Sequence, residues 1–587
     1  MLVSKDEENL KAEIPPGHFY HEVFKAAEKR RWRPVEKVWV FPPILSVMEF
    51  VRKNMPHLNW IDEAENVYLS AKEKEAQRQR LAKGLVDTTD QLTDTPFKFP
   101  PYDHQRKALI LGRNTEAFAY FMDQGTGKTK VILDDAAHNF RLGKINGLLV
   151  ISPNSVKTNW VDPDGGQDEV STHMAPDVHY VAAAYFASSN KKYQSQLSQF
   201  KKSYESGSYK LHILIVNIEG LSQSTCELYV KKFVNLRRCM IVVDESTRIG
   251  NRTATRTKVA TSIRKYCKLA RIATGTPIIK SPLKAYSQLN FLDVNILNQP
   301  SYVAFAARYS VTRKQMDPSI TDNFDHVLHY VNTDELAEKI AGCSYRVTKE
   351  QCLDLPPKVY MPKRVLELEG EQERVYDQMK KESLAFLDGR VLDAPTVLSQ
   401  LVRLQQITAG YLPVLDEFTR EQIGIKKIGS GYSKKIKEVL SILEDSDEKA
   451  IVWCKFKFEI EEMSAALSEA GIDHVTFYGK TSDSDRVSNR NAFQNDPGVR
   501  VFVGQVKTGG IGITLTAATM VIYLSNTFST EDRIQSEDRA HRIGQTKSVS
   551  YYDISFKRTV DERIISVLRQ NKMISDAIMQ DGYRSWI

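Results

Sequence analysis

The chain has 587 residues, enough for about four folded units at ~150 residues each. It is 42% hydrophobic and 26% charged, an ordinary globular composition that excludes a disordered chain, a collagen or a coiled-coil rod. Its net charge is 81 − 73 = +8, a mild excess that permits an acidic partner such as nucleic acid without demanding one. No apolar run reaches the roughly 18 residues of a membrane span. The start, MLVSKDEENLKAE, has neither the basic opening nor the apolar stretch of a secretory signal. Six cysteines, at 226, 239, 267, 343, 352 and 454, form no CxxC pair. Neither a zinc site nor a disulfide framework is therefore expected. Reduced thiols point to the cytoplasm of a bacterium or of a virus-infected cell, or to a nucleus.

In chain order, HFYHEVFKAAEKRRWRPVEKVWVFPP predicts a small α/β module within residues 1–61. A charged, solvated helix and a proline-bearing linker follow, together 62–99. From Tyr102 short apolar runs alternate with helical patterns. GLLVIS (147–152), ILIVN (213–217), MIVV (240–243) and ARIAT (270–274) predict buried strands in a first domain, 100–299. IVW (451–453), VTF (475–477), VFV (501–503) and VIYL (521–524) predict the same texture in a second, 441–565. Continuous apolar strands fit parallel sheets covered on both faces. The predicted fold class is α/β, with two parallel-sheet domains and the small N-terminal module. Residues 300–440 are more polar and read as a mainly helical connection with few strand signals; 566–587 form a tail.

Three segments carry chemistry. MDQGTGKTKVILDD places Gly125, Thr126 and Gly127 where backbone N–H groups approach phosphate oxygens, then Lys128 and Thr129 at a helix start. Lys128 is the expected partner of the β/γ-phosphates and Thr129 of Mg²⁺. Met122 stands where the full phosphate-loop pattern has glycine. MIVVDESTRIGN delivers Asp244 and Glu245 at the end of an apolar strand, where parallel sheets bind ligands. Asp244 suits Mg²⁺ and Glu245 the attacking water; alone, an Asp-Glu pair is as readily a surface turn. In QSEDRAHRIGQ, Arg539 and Arg542 are three apart and are expected on one helix face. Guanidinium suits a γ-phosphate whose charge redistributes during transfer. From composition alone a solvated charged helix is the simpler reading.

Taken in order, these segments resemble the motifs of superfamily-two helicases, specifically the Swi/Snf-type DNA translocases. YDHQRKAL resembles the adenine-reading segment, with Gln105 as its glutamine, and MDQGTGKT resembles motif I. LLVISPNSVKTNW resembles motif Ia, IVNIEGLS motif Ib, VVDEST motif II and ARIATGTPI motif III. IVWCKF resembles motif IV, GQVKTGGIGITLTAATMVIYLSNTFS motif V and QSEDRAHRIGQ motif VI. The resemblance implies two RecA-like domains, ATP and Mg²⁺ as cofactors, Arg539 and Arg542 acting from the second domain, and Gly512 at the nucleotide. It implies DNA held through its backbone along motifs Ia, Ib and V, with Lys157 and Thr508 as contacts. Thr247 replaces the usual histidine of motif II, and Lys280 an asparagine after motif III. No phosphate, metal or water ligand is lost by these departures, so an active ATPase is expected.

The N-terminal segment resembles the substrate-recognition module of the annealing-helicase branch. That implies phosphate contacts by Lys29, Arg30, Arg31 and Arg33. Trp32 and Trp39 are open to two readings, a stacking face for DNA or the core of a small sheet. The expected function is ATP-dependent translocation on double-stranded or branched DNA, by a monomer, without zinc or membrane. A strand-separating helicase, a restriction or defence motor, and a scaffold with a dead ATPase are the alternatives.

Overall fold

The computed structural model describes residues 1–570 except 28, 155, 163–167, 187–190, 208, 276–281, 300, 316–323, 353–354, 388–393, 416–421 and 507–512. The chain divides into two compact units, one carried by Met1–Asp123 and Gly127–Cys352, the other by Gln124–Thr126 and Leu353 onward.

The first unit opens with a five-stranded sheet of β1 (Leu2–Asp6), β2 (Asn9–Glu13), β3 (Arg31–Arg33), β4 (Val38–Phe41) and β5 (Asn59–Trp60), in the order β3-β4-β2-β1-β5. The alternation in β2 sends Leu10 and Ala12 inward, onto Phe24, Phe41, Met48 and Val51. Trp39 belongs to this core: its ring stacks on Phe24 at 5.7 Å, and its indole N–H donates to His21 Nδ1 at 3.0 Å. Trp32 packs half-buried beside it, 5.2 Å away. The core reading of the two tryptophans therefore describes them.

This module is bonded to the rest of its unit. The helix Leu45–Asn54 has no capping side chain of its own. Instead the Leu45 and Ser46 N–H groups donate to Asn295 Oδ1 (2.9 Å) and Asn298 Oδ1 (2.8 Å), satisfying orphan donors of its first turn. The helix Asp62–Ala82 buries Ala64 and Ala71, and its Arg78 pairs with Asp293 and its Lys74 with Glu116. Gly342 lies so close that a Cβ there would stand 2.8 Å from the Arg78 carbonyl.

The main sheet of the unit contains β6 (Ala117–Met122), β7 (Gly147–Ser152), β8 (Tyr180–Ala184), β9 (Leu211–Asn217), β10 (Cys239–Asp244) and β11 (Leu269–Ala273). A hairpin, β12 (Ser310–Gln315) with β13 (Phe324–Tyr330), precedes β14 (Ser344–Val347), which closes the sheet. The order is β14-β6-β11-β10-β7-β9-β8, all parallel. Every residue of β7, β10 and β11 is buried, as two covered faces require.

The second unit adds β15 (Lys358–Tyr360), β16 (Arg364–Leu366), the hairpin β17 (Tyr411–Leu415) with β18 (Gln422–Lys427), then β19 (Ala450–Cys454), β20 (His474–Phe477), β21 (Val501–Gln505), β22 (Met520–Tyr523) and β23 (Val549–Phe556). Its sheet runs β15-β23-β22-β19-β21-β20, with β16 also on β23, again parallel. Two parallel-sheet RecA-like domains are thus present. In the stretch 300–440 helices cover more of the described residues than strands do, but β12 through β18 also fall in it, more strands than the sequence signals. Apart from β17, whose apolar segment carries Pro413, these strands are short and mostly polar and lie at edges or in hairpins, so they lack the continuous apolar run that betrays a central strand. No helix among the described residues is long and apolar enough to cross a membrane.

Candidate nucleotide site

The first part of the site is the loop between β6 and the helix Lys128–Arg141. Gly125 (φ +80°) and Gly127 (φ +86°) take left-handed backbone that other residues rarely adopt. Gly127 is doubly constrained, because a Cβ there would lie 2.1 Å from the Gln105 amide nitrogen. Gln105 is itself fixed: its Oε1 accepts from the Tyr102 N–H at 3.0 Å in a capping box at the start of the helix Asp103–Arg113. Lys128 folds back over the strand end, donating to the carbonyls of Met122 (2.9 Å) and Asp123 (3.2 Å). Thr126 is buried in the loop, and Thr129 sits half-buried in the first helical turn. The turn and the helix N-terminus together make an anion cradle.

β10 supplies the second part. Asp244 is buried at its C-terminal end, with Oδ2 accepting from Trp160 Nε1 (3.1 Å) and Oδ1 from the Glu245 N–H (3.0 Å). Burial, then the neighbouring Glu245 charge, raises the Asp244 carboxyl to about 6, with the Lys128 ammonium opposing. That pull places Lys128 within electrostatic reach of Asp244.

Glu245 has φ +52° and ψ +57°, a left-handed conformation costing a side-chain-bearing residue about 1–2 kcal/mol. Neighbours hold it there. Ser246 donates to Gln288 Oε1 (2.8 Å), Ser287 to the Gly250 carbonyl (3.0 Å), and Thr274 to Glu245 Oε2 (3.3 Å). Strain of this kind clusters at functional sites. Thr274 and Trp160 are site neighbours that spacing alone does not single out; both lie in segments that stand out only by their resemblance.

Two expected DNA contacts sit differently. Lys157 is buried, its ammonium on the Tyr185 carbonyl (3.0 Å) and over the Phe186 ring (3.6 Å). A phosphate at Lys157 would have to displace these groups from the ammonium. Arg33 pairs with Asp6 (2.9 Å) and Glu36 (3.2 Å), while Lys29, Arg30 and Arg31 are exposed at the β3 edge. Thr508, Gly512 and Lys280 lie outside the described residues.

In the second unit the helix Thr530–Glu537 ends before Arg539, so Arg539 and Arg542 do not share a helix face as their spacing predicts. The reason is local. Arg539 N–H and Ala540 N–H bond three residues back, and the Arg539 carbonyl is taken by Leu515 N–H at 3.0 Å. Gly544 then turns the chain at φ +96°. Arg539 is buried, with Nε on the Gln535 carbonyl (2.8 Å), while Arg542 is half-exposed.

What the helix does carry is Arg533, bonded to Glu537 (2.8 Å), Asn526 (2.7 Å) and Asp553 (2.5 Å) and lying 3.4 Å over the Tyr523 ring. Gln545 donates to the Ala518 (2.9 Å) and Thr516 (3.1 Å) carbonyls, tying the segment to the loop that leads into β22. These residues position the arginine segment, and no periodic signal marks them.

An SNF2-related domain matches residues 45–410, and a helicase conserved C-terminal domain matches 434–544. The chain belongs to the SNF2-related family. An ATP-dependent helicase of Mycoplasma genitalium, MG018, is 28% identical over 462 residues, 78% of this SNF2-related chain and 40% of that protein. A putative ATP-dependent helicase/translocase of Bacillus subtilis, YwqA, is 26% identical over 79% of this chain and 46% of its own length. The mouse DNA annealing helicase and endonuclease ZRANB3 is 25% identical over 58% and 30%. The chain spans less than half the length of these curated relatives.

Proposed function

We propose that this SNF2-related chain hydrolyses ATP to travel along double-stranded DNA and remodel forks, branched DNA or protein–DNA complexes, without reading sequence. One observation carries the reading. At the edge of a single parallel sheet, the glycine turn with Lys128 converges with a buried Asp244 and a strained Glu245. The family membership and the names of the relatives support the same direction.

Each residue has a chemical task. The loop N–H groups and Lys128 bind the phosphates, and Lys128 exchanges two carbonyl partners for phosphate oxygens to do so. The Gln105 amide, fixed against Gly127, reads the adenine. Mg²⁺ suits the donors present, namely one buried carboxylate, Asp244, and the Thr129 hydroxyl, because Mg²⁺ takes few protein ligands beside phosphates. When bound it neutralises phosphate charge. Among the described residues no group of three or more His, Cys, Asp or Glu forms a protein-only cage. Glu245 accepts a proton from the attacking water at its carboxylate. Arg539 and Arg542 are assigned to the γ-phosphate charge on their motif rather than on distance. DNA contact through the backbone gives little sequence preference.

The test is ATPase rate without DNA and with single-stranded, duplex, forked and four-way DNA, beside a strand-displacement assay. Stimulation by duplex without displacement is expected. Displacement of a plain strand would favour the strand-separating helicase, and no ATP turnover on any DNA would overturn the motor reading.

A further inference from the structure

The Asp244 carboxylate is gripped from two sides. Its Oδ1 takes the Glu245 backbone N–H and its Oδ2 the Trp160 indole N–H at 3.1 Å. The terminal torsion of an aspartate is soft, so one donor on each oxygen is what fixes the plane of the carboxylate. The remaining lone pairs are thereby aimed.

Trp160 is well placed for that task. It is among the largest fully buried side chains of the protein, and a buried indole N–H needs a partner. It ends a single-turn helix, Lys157–Trp160, that follows β7, the strand paired with β10. The turn is fastened on both flanks. Lys157 donates to the Tyr185 carbonyl at 3.0 Å, and the Asp162 N–H donates to Asp168 Oδ2 at 2.9 Å. A fixed indole therefore holds an otherwise rotatable carboxylate.

The geometry points to Trp160 as a positioning residue that presents Asp244 to the divalent cation accompanying ATP. It rests on the assignment of Asp244 to that cation under the proposed function. The cation's affinity for the ATP-bound protein then depends on an N–H that touches neither metal nor nucleotide. Groups that orient a metal's ligands typically contribute about 10–100-fold to metal affinity.

The experiment compares full-length wild type with Trp160→Phe, which removes the N–H and keeps an aromatic ring, and Trp160→His, which keeps an N–H. The readouts are binding of a fluorescent methylanthraniloyl ATP across Mg²⁺ concentrations and in EDTA, and thermal melting without ligand. Trp160→Phe is expected to raise the half-saturating Mg²⁺ concentration about 10-fold or more, with nucleotide affinity in EDTA unchanged. Trp160→His is expected to restore part of the loss. A lower melting temperature with unchanged Mg²⁺ half-saturation would overturn the proposal and leave Trp160 as packing.

Asp244→Asn separates the two claims. If it leaves Mg²⁺ dependence intact, the metal assignment falls and the proposal with it. If it abolishes the dependence while Trp160→Phe shifts nothing, only the proposal falls. Should the Trp160 variants not fold, ¹⁵N-indole spectra of the wild type decide among its six tryptophans. One indole proton is expected to move when Mg²⁺ is added to the ATP-bound protein, and six unmoved signals would overturn the proposal.

Discussion

Thr274 donates its hydroxyl to Glu245 Oε2 at 3.3 Å, joining the end of β11 to the strained residue that follows β10. Thr274 is wholly buried, so this bond is a fixed constraint on the carboxylate. Glu245→Gln is expected to bind ATP normally and to turn over about 10²–10⁴-fold more slowly, because a carboxamide cannot take the proton of water. Thr274→Val, which keeps shape and loses the hydroxyl, is expected to lower kcat several-fold with KM unchanged, and Thr274→Ser to recover it. Steady-state ATPase kinetics check both, and near-normal turnover by Glu245→Gln would remove Glu245 from the chemistry.

A pH dependence follows from Asp244. Its folded carboxyl is raised to about 6 by burial and Glu245, above the ~3.9 of an unfolded aspartate. Between those values the folded state holds more protons than the unfolded one. The contribution of this group to stability is therefore full below about 4 and is lost as pH rises through about 6. Cation binding requires the carboxylate, so it should release a proton at pH 6 and weaken below it. Calorimetry of Mg²⁺–ATP binding at pH 6, in buffers of different ionisation enthalpy, measures the release. Because ATP itself titrates nearby, the quantity that matters is the difference between wild type and Asp244→Asn, and no difference would refute the assignment.

The buried Arg271–Asp135 pair makes a stability prediction. Arg271 Nε meets Asp135 Oδ2 at 2.6 Å, and its other N–H groups meet the carbonyls of Gly112, Thr115, Glu116 and Ala270. Tyr120 donates to the same Asp135 oxygen (2.8 Å) and Asn139 to the other (2.8 Å). One side chain thus ties the helix that carries Gln105 to the helix that begins at Lys128. Arg271→Met leaves Asp135 charged and buried with its main partner gone, which costs about 3–5 kcal/mol. Denaturant unfolding measures that loss. Arg271→Met with Asp135→Leu should recover much of it, since apolar replacement of a whole buried pair is often neutral.

The parts legible in the sequence were those with a continuous physical signal. β7, β9 and β10 each hold a run of at least four apolar residues, and β19, β21 and β22 hold runs of three or more, which makes them visible; β11 carries the buried Arg271 in its middle. β23 escaped because Ser550 and Asp553 interrupt it, although Asp553 is buried and paired to Arg533 and Arg569. The glycine turn and the Asp-Glu strand end announce themselves because phosphate binding restricts residue type at adjacent positions. Trp160, Thr274, Arg533 and Gln545 reach partners through space, and no local period records that. The segment around Arg539 looked helical because Ser-Glu-Asp-Arg-Ala is compatible with a helix; the Leu515 N–H that takes its carbonyl lies 24 residues upstream.

The last prediction concerns residues 1–97. They do not hang from a free linker: Asn295, Asn298 and Asp293 of the same unit all bond to them. Asp293 shows what removal would do. Burial pushes its carboxyl up, yet the Arg78 guanidinium holds it below the ordinary range. That stabilisation is present above the unfolded carboxyl value and is lost as pH falls through the folded one. Deleting residues 1–97 strands the Asp293 charge, so the truncated chain should melt lower than the full one, and most clearly at neutral pH. DNA binding by the module is better tested in the intact fold, at Lys29, Arg30 and Arg31, which are exposed and remote from those bonds. Replacing all three with Ala should leave the melting temperature and the rate on plain duplex unchanged. Affinity for forked DNA should fall, and the slope of log affinity against log salt should shrink by up to about 0.9 for each duplex phosphate that is no longer neutralised. An unchanged fork affinity and slope would make the module a structural cap on the first ATPase domain, whereas a drop in melting temperature would mean the three cations serve the fold.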